Sequence, residues 1–302
     1  MKIGEILANR RPCISFEFFP PKTDDGVENL MRTVKSLRIL NPGFVSVTYG
    51  AGGSSRARSL EVVKRIKEEL EIEPMAHLTC VGSTRDQMRV VLRELAAAGI
   101  ENIMALRGDP PQGEQRWRSV EGGFQYASEL IAMLANEFEF SVGAGGYPEK
   151  HPEADDAAAD VRVARAKIEA GANFLVTQFF FENEAYFQYV GRLRAAGVGV
   201  PVLPGVMPIT SYAAVARMLK MNGGSMPQRL LAELEARVDE PEAVAELGVA
   251  FTALQCRELL AGGAPGLHFY TLNRSTATRA VVSALIASGA IREAALAGAA
   301  AL

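Results

Sequence analysis

The chain is poor in the residues that build disulfide frameworks and metal centres: it holds three cysteines, Cys13, Cys80 and Cys256, and three histidines, His77, His151 and His268. The cysteines are far apart, odd in number and never spaced C-x-x-C, which leaves reduced, structural thiols as the expectation. No two histidines stand at the H-E-x-x-H spacing that puts two ligands on one helix face, so no metal is expected. Charge of one sign is also lacking, with 32 Lys and Arg against 35 Asp and Glu and a net charge of -3, so nothing attracts a nucleic acid. No apolar run approaches the roughly 18 residues of a membrane span. The opening MKIGEILANRR is too short in its apolar part for a secretory signal, and the cytoplasm is the expected location.

Much of what is present alternates. A strand at 14–21 (ISFEFFPP) is followed by apolar residues Val27, Leu30, Met31, Val34 and Leu37 at helical spacing, and a helix is expected over 24–40. The same unit recurs: strands at 44–49, 74–80, 102–108, 140–148, 173–181, 200–208 and 267–273, helices at 54–70, 84–98, 123–137, 154–170, 184–196, 210–221, 241–260 and 276–287. An irregular insertion at 222–240 carries a short helix near 228–236, and an Ala-rich tail fills 288–302. No Ser/Gly linker divides the 302 residues, which suit one α/β unit, and a single (β/α)8 TIM barrel of about 250 residues is the best fit. An open doubly wound sheet has the same alternation and stands as the alternative.

Glu17 is the one charge inside the first strand. Burying an unpaired charge costs several kcal/mol, roughly, so this carboxyl is expected to be paired, protonated or facing a site. A structural salt bridge is the competing reading. In a barrel the working groups gather where strands end and βα loops begin. Those ends offer Glu17, Thr48 and Tyr49, His77 and Thr79, Arg107 and Asp109, Tyr147 and His151, Gln178, and Tyr270, Asn273 and Arg274. Gln178 stands beside Phe179, Phe180 and Phe181, where an amide must find partners and is suited to reading a heterocycle edge. Two Gly-rich turns, YGAGGSS at 49–55 and GAGGY at 143–147, match neither G-x-G-x-x-G nor a P-loop, so they offer close backbone approach and nothing more specific. Asp160 and Lys167, seven residues apart, share a helix face beyond His151.

The strings SFEFFPP, FVSVTYGAGG, HLTC, ALRGD, YPEKHPEA, AGANFLVTQFFF, PGVMPI and FYTLNR occur in this order between residues 14 and 274. In them the chain resembles the bacterial type of the methylenetetrahydrofolate reductase family. The resemblance implies a (β/α)8 barrel carrying FAD, homo-oligomers, and a ping-pong reaction of one-carbon metabolism feeding methionine synthesis. In it NADH or NADPH reduces the flavin, which reduces methylenetetrahydrofolate, a small-molecule folate, to methyltetrahydrofolate. It further implies that Glu17 is the general acid opening the folate's bridging methylene, and an apolar strand would keep that carboxyl protonated. Asp109 resembles the residue beside flavin and pterin, Gln178 the amide that reads the pterin, and Tyr270 and Arg274 the residues closing the substrate side. Positions resembling FAD contacts are Thr48, His77, Leu106, Arg107, Gly108, Tyr126, Ala127, Tyr147, His151, Asp160 and Lys167.

Three departures accompany the match: the loop from Asp109 to Tyr126, with Trp117, is long, and Val163 and Met218 stand where a polar and an aromatic stacking residue are expected. Two alternative functions share the barrel: a folate-binding member of a methyl-transfer system without redox activity, and a reductase fed by a protein electron donor.

Overall fold

The structure is a computed structural model describing residues 1–49, 53–109 and 118–291, with side chains left aside at 53–56. Parts of the first Gly-rich turn (50–52), of the long loop with Trp117 (110–117) and of the Ala-rich tail (292–302) lie outside the described residues. The element order is α1 (Ile3–Asn9), β1 (Cys13–Phe18), α2 (Asp24–Leu37), β2 (Phe44–Val47), α3 (Gly53–Leu70), β3 (Pro74–Thr79), α4 (Arg85–Ala97), β4 (Asn102–Leu106), α5 (Ala127–Glu137), β5 (Ser141–Gly146), α6 (Ala157–Glu169), β6 (Phe174–Phe179), α7 (Asn183–Ala195), β7 (Val202–Val206), α8 (Tyr212–Asn222), α9 (Gln228–Glu235), α10 (Pro241–Ala261), β8 (Gly266–Tyr270) and α11 (Thr276–Ala287). Each strand pairs in parallel with the next, and β8 returns to β1, so the sheet is a closed eight-stranded barrel and not an open doubly wound sheet.

Side chains alternate along each strand, and the two faces have different fates. Outward residues such as Phe16, Val45, Val47, Ala76, Leu78 and Phe269 join the main core with the apolar faces of the surrounding helices. Inward residues at the strand starts, Cys13, Phe44, Met75, Met104, Phe174 and Leu203, fill the barrel's lower interior. Moving up the same inward faces, the residues turn polar: Ser15 and Glu17 on β1, Ser46 on β2, His77 and Thr79 on β3, and His268 and Tyr270 on β8. The C-terminal mouth is therefore the chemically distinctive end.

The lower end is closed by α1, which the sequence reading did not anticipate. Ile3, Ile6 and Leu7 recur at helical spacing and pack into the lower interior. Its first-turn amides, which have no partner inside the helix, are met by side chains at the strand starts: Ile3 N donates to Asn102 Oδ1 at 2.7 Å and Gly4 N to Ser141 Oγ at 3.2 Å. The insertion at 222–240 has a similar purpose at the top: α9 sends Leu230 and Leu234 into a third apolar cluster with Phe179, Phe181, Met207 and Ile209. The helix expected from residue 123 begins at Ala127, because Gly122 adopts a left-handed φ of 70° and Gly123 bridges back to Thr84. All three cysteines are free and buried. No helix among the described residues is long and apolar enough to cross a membrane.

Candidate functional site

Glu17 is the next-to-last residue of β1, paired in register with Ser46 on one side and Tyr270 on the other. Its carboxylate is 16% exposed and one oxygen, Oε2, receives every neighbour: His77 Nε2 at 3.4 Å, His268 Nε2 at 3.3 Å and the Ser46 hydroxyl at 3.3 Å. The backbone is held as firmly, since Thr271 donates to Glu17 O through both its hydroxyl (2.7 Å) and its amide (3.3 Å). Asn273 brackets Phe19, accepting from its N–H at 3.0 Å and donating to its carbonyl at 2.8 Å. The turn after β8 thus clamps the end of β1.

Burial pushes the Glu17 carboxyl up, but His77, His268 and Ser46 together outweigh it and hold the group below its ordinary value. This corrects the expectation of a carboxyl kept protonated by an apolar strand: the strand is apolar outward, whereas the inward face meets imidazoles and a hydroxyl from β2, β3 and β8. Burial lowers His77 below 6.5, with Glu17 pulling the other way. His268 is fully buried, 2.8 Å from Ser15 Oγ through Nδ1 and stacked against Phe44. The His268 ring thus spans from Ser15 at Nδ1 to the Glu17 carboxylate at Nε2, and the Ser15 hydroxyl also donates to Leu267 O at 3.3 Å.

A second group is assembled from β4, β5 and α6. Arg107, just past β4, makes a bidentate pair with Glu153 at 2.5 and 2.9 Å. Glu153 N donates to His151 Nδ1 at 3.0 Å, His151 N donates to Asp160 Oδ2 at 2.9 Å, and the His151 ring meets Tyr147 edge-on at 4.5 Å. Lys167 reaches over from α6 to donate to Gly145 O at 2.8 Å. Burial drives its ammonium down to about 8, against the raising influence of Asp160 and with Arg107 adding to the fall. His151 is likewise lowered, first by burial. Burial also raises the Tyr147 phenol to about 12, with Asp109 the next contributor.

On the far side of the mouth Gln178 sits near the end of β6, its Oε1 accepting from Phe179 N at 3.0 Å, which aims the amide. Tyr270 donates its phenol to Thr177 O at 2.7 Å. Gln178, Tyr147, Phe179 and Asn222 line a shallow recess there. Thr48 caps β2, its carbonyl accepting from Ser59 Oγ at 3.1 Å. Asp109, Tyr126 and Arg274 stand exposed around this frame, and Ala127 is buried at the start of α5. Val163 is 52% exposed on α6, and Met218 packs against the third cluster.

The sequence reading did not single out Ser15, Ser46, Glu153 or His268 as site residues. Strand parity was the available signal for three of them: Ser15 shares a face with Glu17, and the register brings Ser46 and His268 to that face. Glu153 lies 46 residues from Arg107 and carried no such signal.

The residues fit a flat, anionic cofactor. Gly145 faces inward with only Leu106 Cδ2, at 3.6 Å, near where a side chain would begin. Gly108 takes a φ of 88°, and a Cβ there would press on the Thr79 and Val81 side chains at 3.0 to 3.2 Å, so only glycine lets this turn pack against the end of β3. Near the bare backbone of Gly145 stand Arg107 and Lys167, and the buried ammonium of Lys167 costs the folded chain energy that an anion would return.

A closed parallel barrel with its polar groups at the C-terminal mouth defines a (β/α)8 protein whose candidate site is at that end. The profile of the family described as methylenetetrahydrofolate reductase matches residues 2–286, and the chain belongs to this family. The 5,10-methylenetetrahydrofolate reductase of Pectobacterium carotovorum subsp. carotovorum is 36% identical over 274 residues, 90% of this chain and 89% of that one. The Escherichia coli protein of the same description is 35% identical over 272 residues, 90% of each chain. Methylenetetrahydrofolate reductase (NADH) 1 of Arabidopsis thaliana is 38% identical over 283 residues, 90% of this chain and 48% of that one. The chain thus spans about half the length of the plant and yeast relatives it matches. Among solved structures, an uncharacterised Clostridium thermocellum protein described as binding two copies of 5-methyl-5,6,7,8-tetrahydrofolic acid is similar at a TM-score of 0.61 with 17% identity, covering 93% of this chain and 95% of that one. At that identity the likeness bears on the fold alone.

Proposed function

We propose that this chain reduces 5,10-methylenetetrahydrofolate to 5-methyltetrahydrofolate, with FAD as cofactor and NADH or NADPH as electron source in a ping-pong reaction. The observation that carries the reading is Glu17, a clamped and nearly buried carboxylate with Ser46, His268 and His77 gathered within 3.4 Å of one oxygen, in a mouth that also holds the enclosed ammonium of Lys167. When bound, FAD would supply the redox chemistry, accepting a hydride from the nicotinamide in one half-reaction and, once reduced, passing one to the folate in the other.

Arg107, His151 and Lys167 would hold its anionic part, Asp160 its hydroxyls, and Thr48, His77, Leu106, Gly108, Tyr126, Ala127 and Tyr147 its remaining surface. Glu17 would give a proton to the folate nitrogen that leaves the bridging methylene, generating the reactive iminium. In the open site its neighbours hold the carboxyl ionised, but burial is already the largest single influence on it. A ligand covering the mouth removes more water and so favours the protonated form. The exposed carboxylate of Asp109, just past β4, would favour the cationic iminium, while Gln178 would read the pterin edge as donor and acceptor. Tyr270 and Arg274 would border the substrate, with Arg274 free to meet the folate's carboxylates.

The test is the visible spectrum of the purified protein under anaerobic titration. A yellow protein that bleaches with NADH or NADPH and regains colour with methylenetetrahydrofolate supports the reading. A flavin that resists both nicotinamides points to a protein donor. Protein that takes up no FAD refutes the redox function and leaves a folate-binding barrel.

A further inference from the structure

Glu149 stands midway between Tyr147 and His151 in the loop that follows β5. That loop is fixed at both ends: the Tyr147 and His151 rings meet edge-on, His151 N donates to Asp160 at 2.9 Å, and Arg192 on α7 donates to Pro148 O at 3.4 Å. From its middle Glu149 reaches across to the turn between α8 and α9. Its Oε1 accepts from Ser225 N at 2.9 Å and from the Ser225 hydroxyl, while its Oε2 lies against Gly224, where a Cβ would begin 2.9 Å away.

The turn it holds has little stiffness of its own. Gly223 ends α8 in a left-handed conformation at a φ of 66°, and Gly224 and Ser225 follow before Pro227 caps α9. Two successive glycines give such a stretch many conformations to choose from. Asn222 and Gly224 nevertheless line the same recess as Gln178, Tyr147 and Phe179. A carboxylate from the β5 loop therefore keeps one wall of that recess in place.

We propose that Glu149 is a positioning residue for the substrate, holding Ser225 so that the turn at 222–225 stands as a preformed wall beside Gln178 when the pterin enters. The assignment rests on the folate reading above. Because the arm that carries Glu149 also carries Tyr147 and His151, the wall is set relative to the groups proposed to hold the flavin. Without the hold, binding must also order the turn, and affinity falls by the fraction of molecules in which the wall is in place.

Wild type, Glu149→Ala and Glu149→Gln, each loaded with flavin, are compared in three measurements. These are KM and kcat for methylenetetrahydrofolate, the maximal rate of flavin reduction at saturating nicotinamide, and trypsin cleavage after Lys220, which is exposed in the last turn of α8. Glu149→Ala should raise the folate KM about tenfold with kcat and flavin reduction within about twofold of wild type, and cleavage after Lys220 should be several times faster. Glu149→Gln, whose amide oxygen can still accept from Ser225, should recover most of both changes. An unchanged KM or unchanged cleavage in Glu149→Ala overturns the assignment alone. A loss in Glu149→Gln as large as in Glu149→Ala also overturns it, because charge and not the hold on Ser225 would then be what matters. Flavin-loaded wild type that does not turn over the folate overturns the folate reading and this assignment with it.

Discussion

Lys167 extends from α6 with its ammonium enclosed and bonded to Gly145 O at 2.8 Å, and that enclosure lowers its proton affinity from 10.5 to about 8. In the unfolded chain the amine keeps its proton up to the higher value. Between the two, the unfolded state binds more protons, so stability rises with pH across that window. At pH 7 the folded chain therefore carries a penalty of about 3 kcal/mol for holding Lys167 charged. Lys167→Met removes that penalty but leaves Gly145 O without its donor, a loss of about 1 to 2 kcal/mol. The flavin-free variant should thus be more stable than wild type at pH 7 by about 1 to 2 kcal/mol. By about pH 9.5 most of the wild-type penalty has gone, and the difference between the two proteins should shrink by about 2 kcal/mol. Urea unfolding of both proteins at the two pH values measures this directly, because every other group cancels in the comparison. FAD affinity should fall at least about tenfold in the same variant, as expected when a charge-assisted contact is lost. A variant less stable than wild type at pH 7, or a difference that does not change with pH, would refute the account of Lys167 as a cation held for a ligand.

Gly248→Ala should destabilise the barrel by about 2 kcal/mol, because a side chain there would begin 2.0 Å from Ile209 O and push α10 off the end of β7; a thermal midpoint within a degree of wild type would count against that packing. Ser46→Ala takes from Glu17 one of the donors that lower it, so the limb of the folate half-reaction that needs protonated Glu17 should move to higher pH, measured by stopped-flow reoxidation across a pH series. A limb that stays in place or moves down would mean that Ser46 does not act on the Glu17 carboxylate.

Much of the barrel was legible because periodicity survives in each unit: β-branched and aromatic strands, helices with Val27, Leu30, Met31 and Val34 on one face. The plug α1 was not, since seven residues hold barely two turns and its partners, Asn102 and Ser141, lie about a hundred residues away. Glu17 announced itself as a lone charge in an apolar strand, and Asp160 and Lys167 by their shared helix face. Its protonation could not be read locally, because the groups that set it come from β2, β3 and β8 and meet only when the barrel closes. His268 was masked by its own strand, where Tyr270 and Asn273 looked equally polar. Their contacts separate them: His268 joins Glu17, Tyr270 turns its phenol to Thr177 and Asn273 serves the backbone of Phe19.

The central claim is that Glu17 acts on the folate and not on the flavin's reduction. Glu17→Gln, assayed anaerobically in both half-reactions, tests it most directly. The account predicts bleaching by the nicotinamide within about threefold of wild type, and reoxidation by methylenetetrahydrofolate slowed at least about a hundredfold, the loss expected for a general acid. Equal losses in the two half-reactions, or unimpaired reoxidation, would contradict it.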